Sequence, residues 1–291
     1  MATLWILNLD AEFEMARPRG YQASVEHQRG GKIGQREARR LLGRGDEVVT
    51  LDDVRGGHCT GQEIRAWCPT PSVQDACRVG GAILVSHCAF EVIRLVNDRA
   101  FCSSLGRTLP GARYVTPSSS AANEVEDLLM KASGNWLLKR AFGVAGRGQR
   151  RIQGGGVRPA DMDWIHASLK LGGLQVEPCV AVEAEFSLHG ELGASGPGSL
   201  GQPCISELSA TGRFVRARIA EPEELQQVER DELLSVGYDV ASALKSAGYV
   251  GPFGLDAFRW RAVSGELHFH ALSEINARFT LGWACGMQSL G

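Results

Sequence analysis

Residues 251–278 read GPFGLDAFRWRAVSGELHFHALSEINAR. Phe258 and Trp260 before Ser264-Gly265 are answered by Leu267, Phe269 and Ala271 after it, so the stretch is expected to fold as two strands joined by a tight connection. Three oxygen donors, Asp256, Glu274 and Asn276, lie near the open end of that hairpin. Gly265 is midway between the two carboxylates. A three-residue connection or a bulge would set them opposite each other on one face, whereas a two-residue turn would put them on opposite faces. Facing carboxylates repel unless a cation lies between them. An all-oxygen set with an amide suits Mg²⁺, which takes few protein ligands and fills its octahedron with phosphate oxygens and water. A solvated strand end that happens to be acidic is the alternative reading of these residues.

Upstream, WLLKRAFGVAGRGQRRI at 136–152 couples a short apolar strand at 136–138 to Lys139 and then to a loop punctuated by Gly143, Gly146 and Gly148. Phosphates need a point charge and several backbone N–H groups at close approach, and glycine permits both the approach and the unusual φ values. Glycine-rich turns are common, and this is not a Walker loop, because no Gly-Lys-Ser/Thr follows. Arg147, Arg150 and Arg151 make the loop cationic. Beside Trp136, Leu137 and Leu138 the Lys139 ammonium would be a costly unpaired charge that nucleotide relieves.

The residues SEINARF, after a strand that opens GLDAF, resemble the C-terminal metal-binding signature of the ATP-grasp superfamily. The resemblance implies that Asp256, Glu274 and Asn276 hold Mg²⁺, with Mn²⁺ as the other ion of the same kind, and that Arg278 stabilises the γ-phosphoryl group or an acyl phosphate. It extends to VNDRAFCSSLGRTLPGARYVTP at 96–117, where an Asn/Asp-Lys pair, a Leu-Pro and a strand ending in Thr-Pro are expected in order. Arg99 stands in place of the usual lysine that contacts the α-phosphate. The cation is kept, and a guanidinium grips phosphate bidentately. In LQVEPCVAVEAEFSLHG at 174–190, the resemblance assigns Glu177 and the backbone of Cys179 to adenine and Glu185 to the ribose hydroxyls, with Val176, Val180 and Val182 as walls of an adenine slot. An ordinary sheet strand has the same valines. The carboxylates separate the two readings, since a carboxylate in an apolar strand is costly unless paired or bound.

The chain has 291 residues, 44% of them hydrophobic and 22% charged, as in an ordinary globular protein. A net charge of −2 and a pI near 6.4 give no basic footprint for nucleic acid. No apolar run approaches the ~18 residues of a membrane span, and the first residues lack a charged, cleavable leader, so a cytoplasmic location without membrane attachment is expected. The eight cysteines include no Cys-x-x-Cys pair and suit reduced core thiols better than a zinc site. His58-Cys59 and His87-Cys88 are adjacent residues, which seldom share one ion.

Apolar strand-like runs at 3–9, 47–51 and 82–86, with helical patterns at 36–45 and 89–96, predict a small parallel-sheet α/β domain over 1–96. Between them, the polar loop at 16–32 carries Arg17, Arg19, Arg29 and Lys32, a solvated set unless an anionic substrate meets it. A helix at 120–132 should bury Val125, Leu128 and Leu129, and another is expected at 161–172. A glycine-rich loop at 190–201 precedes strands carrying Arg213, Arg216 and Arg218. The last two share a face that is either solvated or able to receive a substrate carboxylate. A long helix at 223–247 should place Leu225, Val228, Leu233, Val236, Val240 and Leu244 on its apolar side.

The expected fold class is therefore α/β and α+β. An ATP-grasp fold would have an N-terminal parallel α/β domain at 1–96, a central lid with the glycine-rich flap at 97–176, and a C-terminal antiparallel sheet domain with the metal site at 177–291. The resemblance covers roughly residues 97–282 and implies an ATP-dependent ligase that activates a small-molecule or peptide carboxylate as an acyl phosphate and joins it to an amine or similar nucleophile. Lys139 and Arg99 would then neutralise phosphates, and Gly146, Arg147 and Gly148 would lie over them. A phosphotransferase that releases its phosphorylated product and a non-catalytic nucleotide-binding protein are the alternatives. The chain stops thirteen residues after Arg278, where many members of the family it resembles continue, which leads to the expectation that part of the usual active-site wall comes from a partner subunit, as in a homodimer.

Overall fold

The computed structural model describes residues 3–22, 32–85, 87–144, 146–196, 198–209 and 214–287. At the N-terminus, β1 (Leu4–Ile6), β2 (Glu47–Val48), β3 (Glu63–Ala66) and β4 (Ile83–Leu84) form a parallel sheet in the order β2-β1-β3-β4. Helix α1 (Ala11–Ala16) leaves β1 at once, α2 (Lys32–Ala38) runs into a 3₁₀ turn, and α3 (Leu51–Arg55) and α4 (Pro71–Gly80) are the crossover helices. Leu4, Ile6, Val54, Ile64, Val73 and Ala76 make their common core. Thr50 begins α3 with a reciprocal capping box to Asp53, which explains why the apolar run at 47–51 ends as a helix start and not as a longer strand. Gly80 is obligatory where α4 crosses α3, because a Cβ there would stand 1.7 Å from the Val54 carbonyl oxygen.

Helices α5 (Phe90–Asn97) and α6 (Arg99–Ser104) join this domain to the rest. The Asp98 carboxylate caps α6 by accepting from the Ala100 N–H at 2.8 Å. The lid is an antiparallel sheet of β5 (Arg113–Val115), β6 (Asn135–Val144), β7 (Arg147–Gln153) and β8 (Leu174–Pro178) in the order β5-β8-β6-β7. It is covered by α7 (Ala121–Lys131) and α8 (Pro159–Leu169) over a core of Val125, Leu129, Leu138, Ile152, Ile165 and Leu174.

The C-terminal sheet is built from β9 (Ala181–Leu192), β10 (Ser199–Leu200), β11 (Cys204–Leu208), β12 (Phe214–Ile219), β13 (Gly251–Arg261) and β14 (Leu267–Asn276). Its order is β12-β11-β9-β13-β14, with β10 on β9, and every pairing is antiparallel. The twenty-residue helix α9 (Gln227–Ser246) lays Leu233, Val236, Val240 and Leu244 on this sheet. Val228 does not follow the expected pattern: it is 69% exposed, because the first turn of the helix turns Glu229, not Val228, toward the sheet, where it pairs with Arg259. Helix α10 (Trp283–Gly286) ends the described chain. Among the described residues no helix is long and apolar enough to cross a membrane.

Candidate active site

The hairpin β13-β14 uses both devices that could align its carboxylates. Its connection is the three residues 263–265. Ala262 donates to the Glu266 carbonyl at 2.8 Å, Gly265 donates to the Ala262 carbonyl at 2.9 Å, and Gly265 takes φ 89°. That turn pairs Phe258 with His270, and an irregularity beyond it shifts the ladder so that Asp256 faces Glu274 and Gly254 faces Asn276. The two carboxylates therefore lie on one face. Burial, and after it the charge of Glu274, pushes the Asp256 carboxyl up to about 7.

Around this pair stand cations from three parts of the chain. Arg99, at the start of α6 and only 6% exposed, donates to Glu274 at 2.8 Å and to the Arg140 carbonyl at 3.1 Å. Burial disfavours its charge, but Glu274, with Glu177 and Cys102 behind it, holds the Arg99 pKa above its ordinary value. Lys139 on β6 pairs with Glu177 on β8 at 2.6 Å, so the ammonium that the sequence leaves unpaired has a partner. Arg278 donates to the Asn276 Oδ1 at 3.0 Å and pairs with Glu12 from α1, and its guanidinium carbon lies 5.7 Å from the Trp67 ring centre. Asn276 in turn donates to Asp256 at 3.0 Å.

Two facing carboxylates, the charge of Glu274 helping to raise the Asp256 pKa, with an amide oxygen beside them, fit a hard divalent cation such as Mg²⁺. The Asn276 oxygen now accepts from Arg278 and would have to change partner to serve as a ligand. Among the described residues no cluster of three or more His, Cys, Asp or Glu side chains offers a different metal site.

Other expected contacts lie elsewhere. The Cys179 N–H donates to the Asn135 carbonyl at 2.8 Å. Val176 is fully buried in the lid core and walls no slot, while Val182 is 46% exposed. Glu185 on β9 is exposed and pairs with Phe258 across the ladder, near enough for its charge to raise Asp256. Gly146 is at the flap tip with φ 77° and open space beside it. Arg147 and Gly148 line a cavity against α1, not the cleft. Arg216 and Arg218 are both engaged by Glu207, and Arg218 also by Glu224, so neither awaits a substrate carboxylate. Arg213 and Arg29 lie outside the described residues.

Sequence reasoning missed Glu12, His270 and Leu272. His270 and Leu272, with Arg99 and Glu177, line a crevice of about 20 Å³ between lid and C-terminal sheet, room for little more than a water molecule. Burial, and then Lys139, lowers His270 to about 4. Glu12 carried one readable signal: an acidic residue in the apolar entrance to α1, which is costly to bury unless paired.

No family model and no curated protein matches the chain. Solved structures do. N5-carboxyaminoimidazole synthetase from Staphylococcus aureus, complexed with ADP, aligns at a TM-score of 0.54 and 14% identity, over 96% of this chain and 71% of that one. D-alanyl-alanine synthetase A from Vibrio cholerae aligns at 0.56 and 12% identity, over 100% of this chain and 90% of that one. The biotin carboxylase domain of the Hydrogenobacter thermophilus 2-oxoglutarate carboxylase, in complex with MgADP, ADP and bicarbonate, aligns at 0.57 and 15% identity, over 96% of this chain and 64% of that one.

Proposed function

On the ATP-grasp fold that this chain has in common with those enzymes, we propose that it is an ATP-dependent ligase, which phosphorylates a small-molecule or peptide carboxylate and lets an amine or similar nucleophile displace the phosphate. The observation that carries this reading is the meeting of the facing carboxylates Asp256 and Glu274 with Arg99, Lys139 and Arg278, three cations from separate elements near enough for their charges to interact within one buried cluster.

Phosphoryl transfer asks little covalent chemistry of a protein, and much positioning and charge neutralisation. Arg99 and Lys139 exchange their carboxylate partners for phosphate oxygens. Glu177, once released by Lys139, accepts from the adenine amino group beside the Cys179 carbonyl, and Glu185 accepts from the ribose. Asp256, Glu274 and Asn276 would hold Mg²⁺ (or Mn²⁺), which supplies further neutralisation of the phosphates. Arg278 turns its planar fork toward the γ-phosphoryl group or the acyl phosphate formed from it. The flap tip with Gly146, Arg147 and Gly148 closes above and keeps water from the acyl phosphate. No side chain acts as a covalent nucleophile, because the substrate supplies it.

The test is to incubate candidate acid and amine pairs with Mg-ATP while measuring ADP release and product mass. An amide appearing with ADP and phosphate is the expected outcome, and Glu274→Gln should cut ADP release by about a hundredfold or more with the fold intact, since the amide oxygen still accepts from Arg99. A stable phosphorylated product would make the protein a phosphotransferase. Undiminished turnover in Glu274→Gln would overturn the site.

A further inference from the structure

A second cavity, of about 410 Å³, lies between α1 and the flap. It is separate from the cleft of Lys139. Neighbouring residues on a strand point to opposite faces. Lys139 reaches Glu177, whereas Arg140 reaches the other way, donating to the Ser168 hydroxyl at 2.9 Å with its guanidinium carbon 5.1 Å from the Trp164 ring centre on α8. Three arginines line the cavity: Arg17 just after α1, Arg140 on β6 and Arg147 at the flap. Phe13, Phe142 and Leu171 supply apolar wall.

The charges of these arginines are unusual in their setting. Nearby on the lid, Arg150 and Arg158 both close on Asp161, and on the C-terminal sheet Arg216, Arg218, Arg259 and Arg261 each hold a carboxylate. Among the described residues no carboxylate lies within ion-pair distance of Arg17, Arg140 or Arg147. Burial, and after it the charge of Arg17, lowers the Arg140 pKa, so two like charges face one space with no anion between them. Converging guanidinium groups on an apolar wall, in a volume of the size ordinary ligand pockets have, form a receptor for an anion with an apolar body.

We propose that this cavity binds a small organic anion, its carboxylate or phosphate gripped by Arg17, Arg140 and Arg147 and its apolar body packed on Phe13, Phe142 and Leu171. The proposal stands on the cavity and needs no nucleotide in the cleft, although Arg147 and Gly148 also belong to the flap that the proposed function closes over phosphate. Because Arg17 belongs to the N-terminal domain and Arg147 to the flap, an occupant ties the flap to α1.

Benzoate and phenyl phosphate serve as probes, with benzyl alcohol as the neutral match, each titrated calorimetrically into the whole protein without ATP. At least one anion should bind and benzyl alcohol should not; the stronger of the two names the preferred head group. Arg17→Gln and Arg147→Gln, both exposed and unlinked to the core, should each weaken the anion by about tenfold. Lys139→Met should leave anion binding unchanged, which separates this cavity from the cleft. The proposal is overturned if neither anion binds at millimolar concentration, if benzyl alcohol binds as well as they do, or if the two arginine variants bind like the parent.

Discussion

Lys139 and Glu177 are diagonal neighbours on adjacent strands, both about nine-tenths buried and 2.6 Å apart. Removing one partner of such a pair strands the other charge in a poorly solvated place. From sequence alone the lysine has no partner, and Lys139→Met should then be as stable as the parent or more so. The pair reverses that sign: Lys139→Met is expected to lose roughly 1–3 kcal/mol in urea denaturation, and Lys139→Met with Glu177→Gln to regain most of it. A single variant as stable as the parent would show that the pair contributes nothing. A second residue was not legible at all. His189 on β9, 2% exposed, bonds the Ser187 hydroxyl and the Thr280 hydroxyl, each at 3.0 Å. Gly254, Gly282 and Gly286 close around it, and a Cβ on any of them would stand 2.9 Å or less from the imidazole ring. Those glycines are scattered over 33 positions, so only the fold reveals that they make one socket. Burial lowers His189 to about 3, whereas the unfolded chain takes up its proton near the ordinary ~6.5. Stability is therefore full above about pH 6.5 and falls toward pH 3, this residue contributing up to ~1.4 kcal/mol per pH unit. Denaturation across that range should give a shallower slope for His189→Gln than for the parent, and parallel slopes would count against a neutral buried imidazole.

The elements were legible in proportion to how local their cause is. The hairpin β13-β14, the strand before Lys139 and the helix at 90–97 follow from alternation and apolar spacing within a few residues. β3 escaped because EIRA buries only Ile64 and so offers no apolar run; its place is set by pairing with β1 and β4. The flap shows the same limit. Its composition suggests a loop with three free arginines, yet the ladder of β6 and β7 continues from Asn135↔Gln153 to Lys139↔Gln149, and Arg150 is tied to Asp161 at 2.6 Å. Only Arg147 stands at the turn, beside Gly146 in the left-handed region. Trypsin should accordingly nick the free protein after Arg147 and spare Arg150 and Arg151, because cleavage needs several residues of backbone released from hydrogen bonds. Mg-ATP should slow that nick if the flap closes over phosphate. Equal cutting at all three arginines would mean that the ladder opens as a unit, and equal rates with and without Mg-ATP would argue against closure.

Across the whole molecule, each cation of the cleft is already neutralised by a carboxylate from another element: Arg99 by Glu274, Lys139 by Glu177 and Arg278 by Glu12. Four motifs in order anticipate the ATP-grasp fold, but not these pairings, whose partners lie 38 positions apart for Lys139 and Glu177, 175 for Arg99 and Glu274, and 266 for Glu12 and Arg278. If the chain binds nucleotide as proposed, binding is an exchange in which phosphate oxygens displace internal carboxylates. Glu12 is the most telling member, being the N-terminal domain's own contribution. Burial, which outweighs the pull of Arg278, raises its pKa, and neither carboxyl oxygen has a well-aligned hydrogen bond, so its hold on Arg278 is electrostatic. Glu12→Gln should lower the stability of the free protein and, by releasing Arg278 and removing a negative charge beside the phosphates, tighten ATP binding by roughly tenfold, about 1.4 kcal/mol. If Arg278 reaches the γ-phosphate, as proposed, the gain should be distinctly smaller for ADP. Calorimetric titration of parent and variant with Mg-ATP and Mg-ADP, alongside melting curves with and without nucleotide, reads all three effects. An ATP affinity that is unchanged or weaker would sink the exchange, whereas an equal gain for both nucleotides would keep the exchange and move Arg278 away from the γ-phosphate.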